Sequence, residues 1–113
     1  MTLKMTLKEI IDCCSEFKVH EKRCISEDFI ELVFPNQQIS EWERVLTAFL
    51  GAPIKPEGQE PSDRDLKLTA DTGSIRIEQT LYENEFENGI IIAKFWPWKD
   101  NIHTTLRMAL LAK

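Results

Sequence analysis

The chain has 113 residues, of which 42% are hydrophobic and 29% are charged. This length and apolar content predict one folded domain over residues 1–113 with its own core, and they exclude a disordered chain. Lys and Arg total 14 against 19 Asp and Glu, a formal net charge of −5, so we expect no nucleic acid partner.

The N-terminal sequence gives no sign of a targeting segment. Met1–Lys8 lacks the continuous apolar run and the small-residue cleavage site of a signal peptide. Elsewhere no apolar run approaches the roughly 20 residues that span a bilayer. We therefore expect a cytoplasmic protein that does not contact a membrane.

Residues 6–19 are predicted to form an amphipathic helix. Thr6 is its expected N-cap, and Glu9 follows three residues later, as in a capping box. The apolar residues that recur at helical spacing are Leu7, Ile10, Ile11, Cys14 and Phe17. A basic cluster follows at Lys18, His20, Lys22 and Arg23, diluted by Glu16 and Glu21, and we interpret it as a solvated helix end.

Three cysteines, Cys13, Cys14 and Cys24, are crowded into this region. A secreted disulfide framework has an even number of cysteines that are spread along the chain, so we expect free, mostly buried thiols in a reducing compartment. With His20 they superficially resemble a zinc site. Structural zinc takes cysteine pairs on turns, whereas the adjacent thiols here lie inside an apolar helix pattern, so no metal is expected.

Two further elements are predicted before residue 53. The apolar run 28–34 ends at Pro35 and favours a strand, with a helix starting at Ser26 as the alternative. A second helix is predicted from Ser40 as N-cap, with Glu43 completing a capping box, to a stop at Gly51. Its expected buried face consists of Trp42, Val45, Leu46, Phe49 and Leu50.

The second half of the chain changes its periodicity from helical to alternating. Residues 53–65 are rich in proline and are expected to form a mobile surface connection. Alternation then predicts strands near 66–70, 75–82, 90–96 and 102–111, separated by turn sequences that include Asn88-Gly89. The predicted fold is α+β, with two N-terminal helices packed on a C-terminal four-stranded antiparallel meander and a possible extra strand at 28–34.

No catalytic motif stands out. Cysteine catalysis would need a base and a thiol with a depressed pKa, but Cys13 and Cys14 are predicted to lie in the middle of a helix. The carboxylates Glu83, Glu85 and Glu87 alternate near a polar hairpin tip, where solvation leaves them unsuited to acid–base chemistry. We expect no catalytic residue and no cofactor, and we interpret the chain as non-enzymatic rather than as an enzyme.

The third predicted strand departs from simple alternation. Residues 90–96 are apolar on both sides except for Lys94. One face, either Ile91, Ala93 and Phe95 or Ile90, Ile92 and Trp96, must pack on the helices. The other is either covered by the N-terminal helix or residues 53–65, or left as a contact surface.

Two functions remain open on this pattern. The first is a non-enzymatic interaction module that forms a homodimer or docks a protein partner through the sheet face around Ile92, Lys94 and Trp96. The second is a small-molecule binding domain with a pocket between sheet and helices lined by Trp42, Tyr82 and Trp96. The candidate interface or ligand residues are Arg76, Tyr82, Ile90, Ile92, Lys94, Trp96, Trp98, His103 and Arg107.

Overall fold

The α+β class is confirmed by a computed structural model that describes residues 4–112. The helices are α1 (Leu7–Asp12), α2 (Ile39–Leu50) and α3 (Asp63–Leu68), with short 3-10 turns at Asn36–Gln38 and Ala70–Thr72. The strands are β1 (Glu21–Ile25), β2 (Phe29–Pro35), β3 (Thr80–Phe86), β4 (Gly89–Pro97) and β5 (His103–Leu111). Among residues 4–112, no helix has the length and apolar content needed to cross a bilayer.

The five strands form one antiparallel sheet in the order β1-β2-β5-β4-β3. Strands β3, β4 and β5 follow one another as a meander, and β2 pairs with the free edge of β5. The predicted extra strand at 28–34 is therefore confirmed as β2. Strand β1 was not predicted, because all five of its side chains are exposed and an exposed edge strand carries no alternation of apolar and polar residues.

The predicted meander has one strand fewer than expected. Residues 66–70, predicted as a strand, fall in α3 and the turn after it. Helix α3 is stabilised by a capping box, since Ser62 Oγ accepts from the Asp65 amide and the Asp65 carboxylate accepts from the Ser62 amide. The strand predicted at 75–82 begins only at Thr80.

The two predicted N-terminal helices exist, but their starts and ends differ from prediction. Thr6 caps α1 as expected, yet the helix ends at Asp12, after which the backbone hydrogen bonds tighten to the i−3 spacing of a turn. Helix α2 ends at Gly51 as expected. Ser40 is not its cap, because the 3-10 turn Asn36–Gln38 leads straight into the helix and already places Ser40 in the first turn.

The sheet is covered on both faces. Helices α1 and α2 cover the face that carries Ile91, Ala93 and Phe95, so this is the face that packs on the helices. The opposite face carries Ile92 and is covered by residues 69–79, which we call the cover segment. The expectation that 53–65 or the N-terminal helix covers this second face is wrong: Ile75 of the cover segment, only 3% exposed, packs there.

Candidate functional site

Lys94 lies on the second face of the sheet, beneath the cover segment. It is 1% exposed, and its ammonium donates to the carbonyl of Ser74. Next to it, Arg107 Nη1 donates to the Thr72 carbonyl at 3.1 Å and Nε to Glu31 Oε1 at 2.7 Å. Desolvation, reinforced by the nearby positive charge of Arg107, lowers the pKa of Lys94 to about 8. Lys94 therefore binds the cover segment from below and is shielded from solvent.

A second buried lysine, Lys55, holds the other end of the cover segment. Its ammonium donates to the carbonyls of Pro56 at 3.0 Å and Ile77 at 3.1 Å, and also to the carbonyl of Gln79. Burial lowers the pKa of Lys55, partly opposed by the negative charge of Asp65. This role of Lys55 was not predicted, because Lys55 lies in a stretch that was expected to be a mobile connection.

The cover segment stops short of the end of β4 and leaves a groove open there. This groove, which we call the tryptophan groove, has a volume of about 950 Å³. It is formed by the end of β4, the turn after it, and side chains from β1, β5, residue 57 and the cover segment. Its lining residues are Arg23, Glu57, Arg76, Glu78, Trp96, Pro97, Trp98, Lys99, Asp100, Asn101 and Thr105.

An arginine contacts each of the two indoles in the tryptophan groove. The Arg107 guanidinium lies 5.1 Å from the ring centroid of Trp96, and the Arg23 guanidinium lies 5.5 Å from that of Trp98. Trp98 Nε1 also donates to Thr105 Oγ1 at 2.8 Å. Both side chains are only partly buried. They therefore present rigid apolar area to solvent, which is unusual outside binding surfaces.

His103 supports the turn that carries Trp98. Its Nδ1 lies 2.7 Å from Asp100 Oδ2, and its ring centroid is 5.1 Å from that of Trp98 and 4.3 Å from that of His20. The hydrogen bond from His103 and those from the backbone amides of Ile102 and His103 lower the pKa of Asp100 to about 2. His103 packs behind the tryptophan groove rather than lining it.

The structure separates the residues predicted as candidates. It brings Arg76, Trp96 and Trp98 together in the tryptophan groove, with Arg107 and His103 behind the indoles. Ile90 and Ile92 pack on the second face of the sheet, where Ile92 is 2% exposed.

Trp42 and Tyr82 lie on the helix face and are each 1% exposed in the main core. The sheet stands between them and Trp96, so these three side chains do not line one cavity. Desolvation raises the pKa of Tyr82, as expected of a buried phenol.

The cysteines and histidines form no metal centre in the part of the chain that the structure describes. No group of three His, Cys, Asp or Glu side chains in residues 4–112 is arranged to bind an ion. All three thiols are free, but only Cys14 is buried, where desolvation raises its pKa to about 12. The expectation of mostly buried thiols is wrong for Cys13 and Cys24, because α1 ends before Cys13 and Cys24 lies on the exposed strand β1.

Comparisons of this chain with protein-family models, with curated proteins and with solved structures found no match.

Proposed function

We propose that this protein is a non-enzymatic, cytoplasmic interaction module that binds a second copy of itself through the tryptophan groove. The observation that carries the proposal is the pair of partly buried tryptophans, Trp96 and Trp98, each contacted by an arginine in an open groove. Tryptophan is enriched among the residues that dominate binding energy. Because these side chains are already ordered, little side-chain entropy is lost when a partner covers them.

The charges around the indoles favour a second copy of the chain over a partner whose surface carries charge of a single sign. The groove is lined by three basic side chains, Arg23, Arg76 and Lys99, and three acidic ones, Glu57, Glu78 and Asp100. In a two-fold contact the same patch lies on both sides, so it must supply both members of each charge pair. A strongly charged partner would instead bind best to a groove whose charges are all of the opposite sign.

The proposed contact differs from the predicted one in position. Ile92 and Lys94 are covered by the cover segment of their own chain, so the proposed surface lies farther along the same face, around Trp96 and Trp98. Free thiols at Cys13 and Cys24, both exposed, support a reducing location.

Sedimentation equilibrium over a wide protein concentration range tests the proposal. The wild type should reach the mass of a dimer, and Trp98→Glu should remain a folded monomer, because a carboxylate would have to be desolvated in the contact. Leu66→Glu is the matched control: Leu66 is 41% exposed on α3 and does not line the groove, so this variant should dimerise normally.

A second variant keeps the test valid if Trp98→Glu does not fold. Arg76→Glu changes an exposed side chain of the groove and should weaken the dimer by upsetting its charge balance while leaving the circular dichroism spectrum unchanged. A wild type that stays monomeric at every concentration contradicts self-association. In that case a titration of small apolar molecules, read by tryptophan fluorescence, would examine the alternative of a ligand groove.

A further inference from the structure

Strand β1 forms one edge of the sheet and pairs only with β2 among the described strands. All five of its residues, Glu21–Ile25, are exposed. The opposite edge of the sheet is different: at β3, the backbone of Lys55 pairs with Leu81 and blocks further pairing at that point. An open edge strand offers a row of backbone donors and acceptors to another extended chain.

A second groove lies beside this edge, on the helix face of the sheet. This edge groove has a volume of about 340 Å³ and lies between the end of α1 and strand β1. Most of its lining is apolar, contributed by Ile11, Phe17, Val19, Ile25, Leu32 and Trp42. Ile25 is 54% exposed there and offers apolar area to a chain that covers the edge groove.

A bulge in β1 decides which side chains face the edge groove. The register of β1 against β2 shifts between Lys22 and Cys24, so Arg23 is the extra residue. Lys22 and Ile25 consequently both line the edge groove. Arg23 contacts the other face instead, where it reaches Glu31 and Trp98.

Trp42 leaves a hydrogen-bond donor free at this groove. Its side chain is 1% exposed and lines the edge groove, yet its indole Nε1 has no acceptor among the described residues. Buried donors are normally paired, so this indole N–H beside the edge groove is an exception.

The charges at the edge indicate what kind of chain would bind. Lys18 and Lys22 form no ion pair with any residue of the described chain. A second copy is disfavoured, since it would bring another Lys18 and Lys22 to this edge, and like charges across a strand pair destabilise a sheet. A segment with carboxylates removes this conflict.

We propose that β1 accepts an extended segment of a partner protein as a sixth strand. The segment carries apolar side chains and a carboxylate on the side that faces the edge groove: the apolar groups cover Ile25, and the carboxylate meets Lys22. The edge groove shares no lining residue with the tryptophan groove, and the proposal does not depend on self-association.

A synthetic peptide tests this site directly. The probe is an acetylated, amidated peptide in which every second residue is threonine. The residues between the threonines are, in order, leucine, glutamate and leucine, so these three side chains share one face of a strand. Titrated into the ¹⁵N-labelled protein, it should shift the amides of residues 18–25 and the indole N–H of Trp42. The same peptide with N-methylated amides on its pairing edge should not bind, because it cannot complete the backbone ladder.

Two variants and one control distinguish recognition of side chains from non-specific binding of the peptide. Lys22→Glu should weaken binding of the glutamate peptide about tenfold and should instead favour a peptide with lysine in place of glutamate. Ile25→Asp should also weaken binding. Ile102→Asp is its matched control, because Ile102 is 58% exposed and lies outside the edge groove, and this variant should bind normally.

Three results would overturn the proposal: no binding of the glutamate peptide, equal binding of the N-methylated peptide, or shifts confined to the tryptophan groove. Repeating the titration with Trp98→Glu keeps the two sites distinct. Failure of dimerisation leaves the edge result unaffected, and failure of the peptide to bind leaves the dimer result unaffected.

Discussion

The two faces of strand β4 are buried by different means. On the helix face, Ile91, Ala93 and Phe95 pack against apolar side chains of α1 and α2, and no charge is involved. On the second face, Lys94 sits beneath the cover segment, and the backbone carbonyls of that segment accept from Lys94 and from Lys55. A helix hides its own carbonyls, whereas an irregular segment must find donors for them, and two buried ammonium groups supply those donors here.

This comparison predicts that the two faces contribute differently to stability. The helix face should behave as an ordinary apolar core, in which the penalty for a cavity dominates. The second face should respond to pH, because its burial depends on charged groups with shifted pKa values.

The largest expected effect is at the centre of the helix face. Phe34 is fully buried, and its ring centroid lies 5.4 Å from that of Trp42 and 5.7 Å from that of Phe95. Phe34→Ala should lower the free energy of unfolding by about 3–5 kcal/mol, since the lost contacts leave a cavity. Urea denaturation measures this. Ile102→Ala, at a side chain 58% exposed, is the control and should change it by less than about 0.5 kcal/mol. If both variants lowered the free energy of unfolding by the same small amount, an apolar core at Phe34 would be contradicted.

A smaller and pH-dependent effect is expected at Lys94. Its pKa in the folded protein is lowered to about 8 from 10.5, so the folded state binds the proton less tightly than the unfolded chain does. The resulting penalty is fully present below about pH 8 and fades as the pH rises to about 10.5. The fold should therefore become more stable across that window, by about 3 kcal/mol.

Lys94→Met isolates this contribution, because methionine fills a similar volume without a charge. Between about pH 7 and pH 10.5, the unfolding free energy of the wild type should rise relative to that of the variant, because only the wild type loses the penalty. A difference that stays constant over this range would show that Lys94 titrates normally in the folded protein.

The smallest expected effect compares two serines at helix starts. Ser62 Oγ accepts from the Asp65 amide at 3.1 Å and caps α3, the helix that leads into the cover segment. Ser62→Ala should therefore cost about 1 kcal/mol of unfolding free energy. Ser40→Ala, inside the first turn of α2, should change it by less than about 0.5 kcal/mol, measured by the urea midpoint at unchanged slope. The reverse order of effects would mean that Ser40 caps α2 after all.

Local sequence signals predicted the parts of the fold that depend on neighbouring residues. The Asn88-Gly89 hairpin is an example: Phe86 pairs with Gly89, whose φ of +147° suits glycine and whose Cβ position would lie 2.3 Å from the Leu111 carbonyl oxygen. The stop of α2 at Gly51, the cap at Thr6 and the run 28–34 as a strand were predicted for the same reason. Each is decided within a few residues of the chain.

The alternation of apolar and polar residues led to a wrong prediction where the surface that the segment packs against was unknown. Leu66 and Leu68 alternate with polar residues as in a strand, yet they lie in a helix of six residues that a capping box starts. Such short segments satisfy both periodicities, and the hydrogen bonds at the ends decide between them. Strand β1 shows the converse case, because an exposed edge strand has no buried face to leave a pattern in the sequence.

The sequence by itself determined the α+β class, the C-terminal meander and the fact that residues 90–96 are apolar on both sides. Only the tertiary structure decided what covers each side, because the cover segment is held by Lys55 and Lys94 through backbone carbonyls, which have no sequence signature. The tertiary structure also decided which residues form the tryptophan groove, since Arg23 reaches Trp98 from a strand that is distant in the chain. Pairings of this kind depend on the register of β1, β2, β5 and β4 across the sheet, and register is set by long-range packing rather than by local sequence.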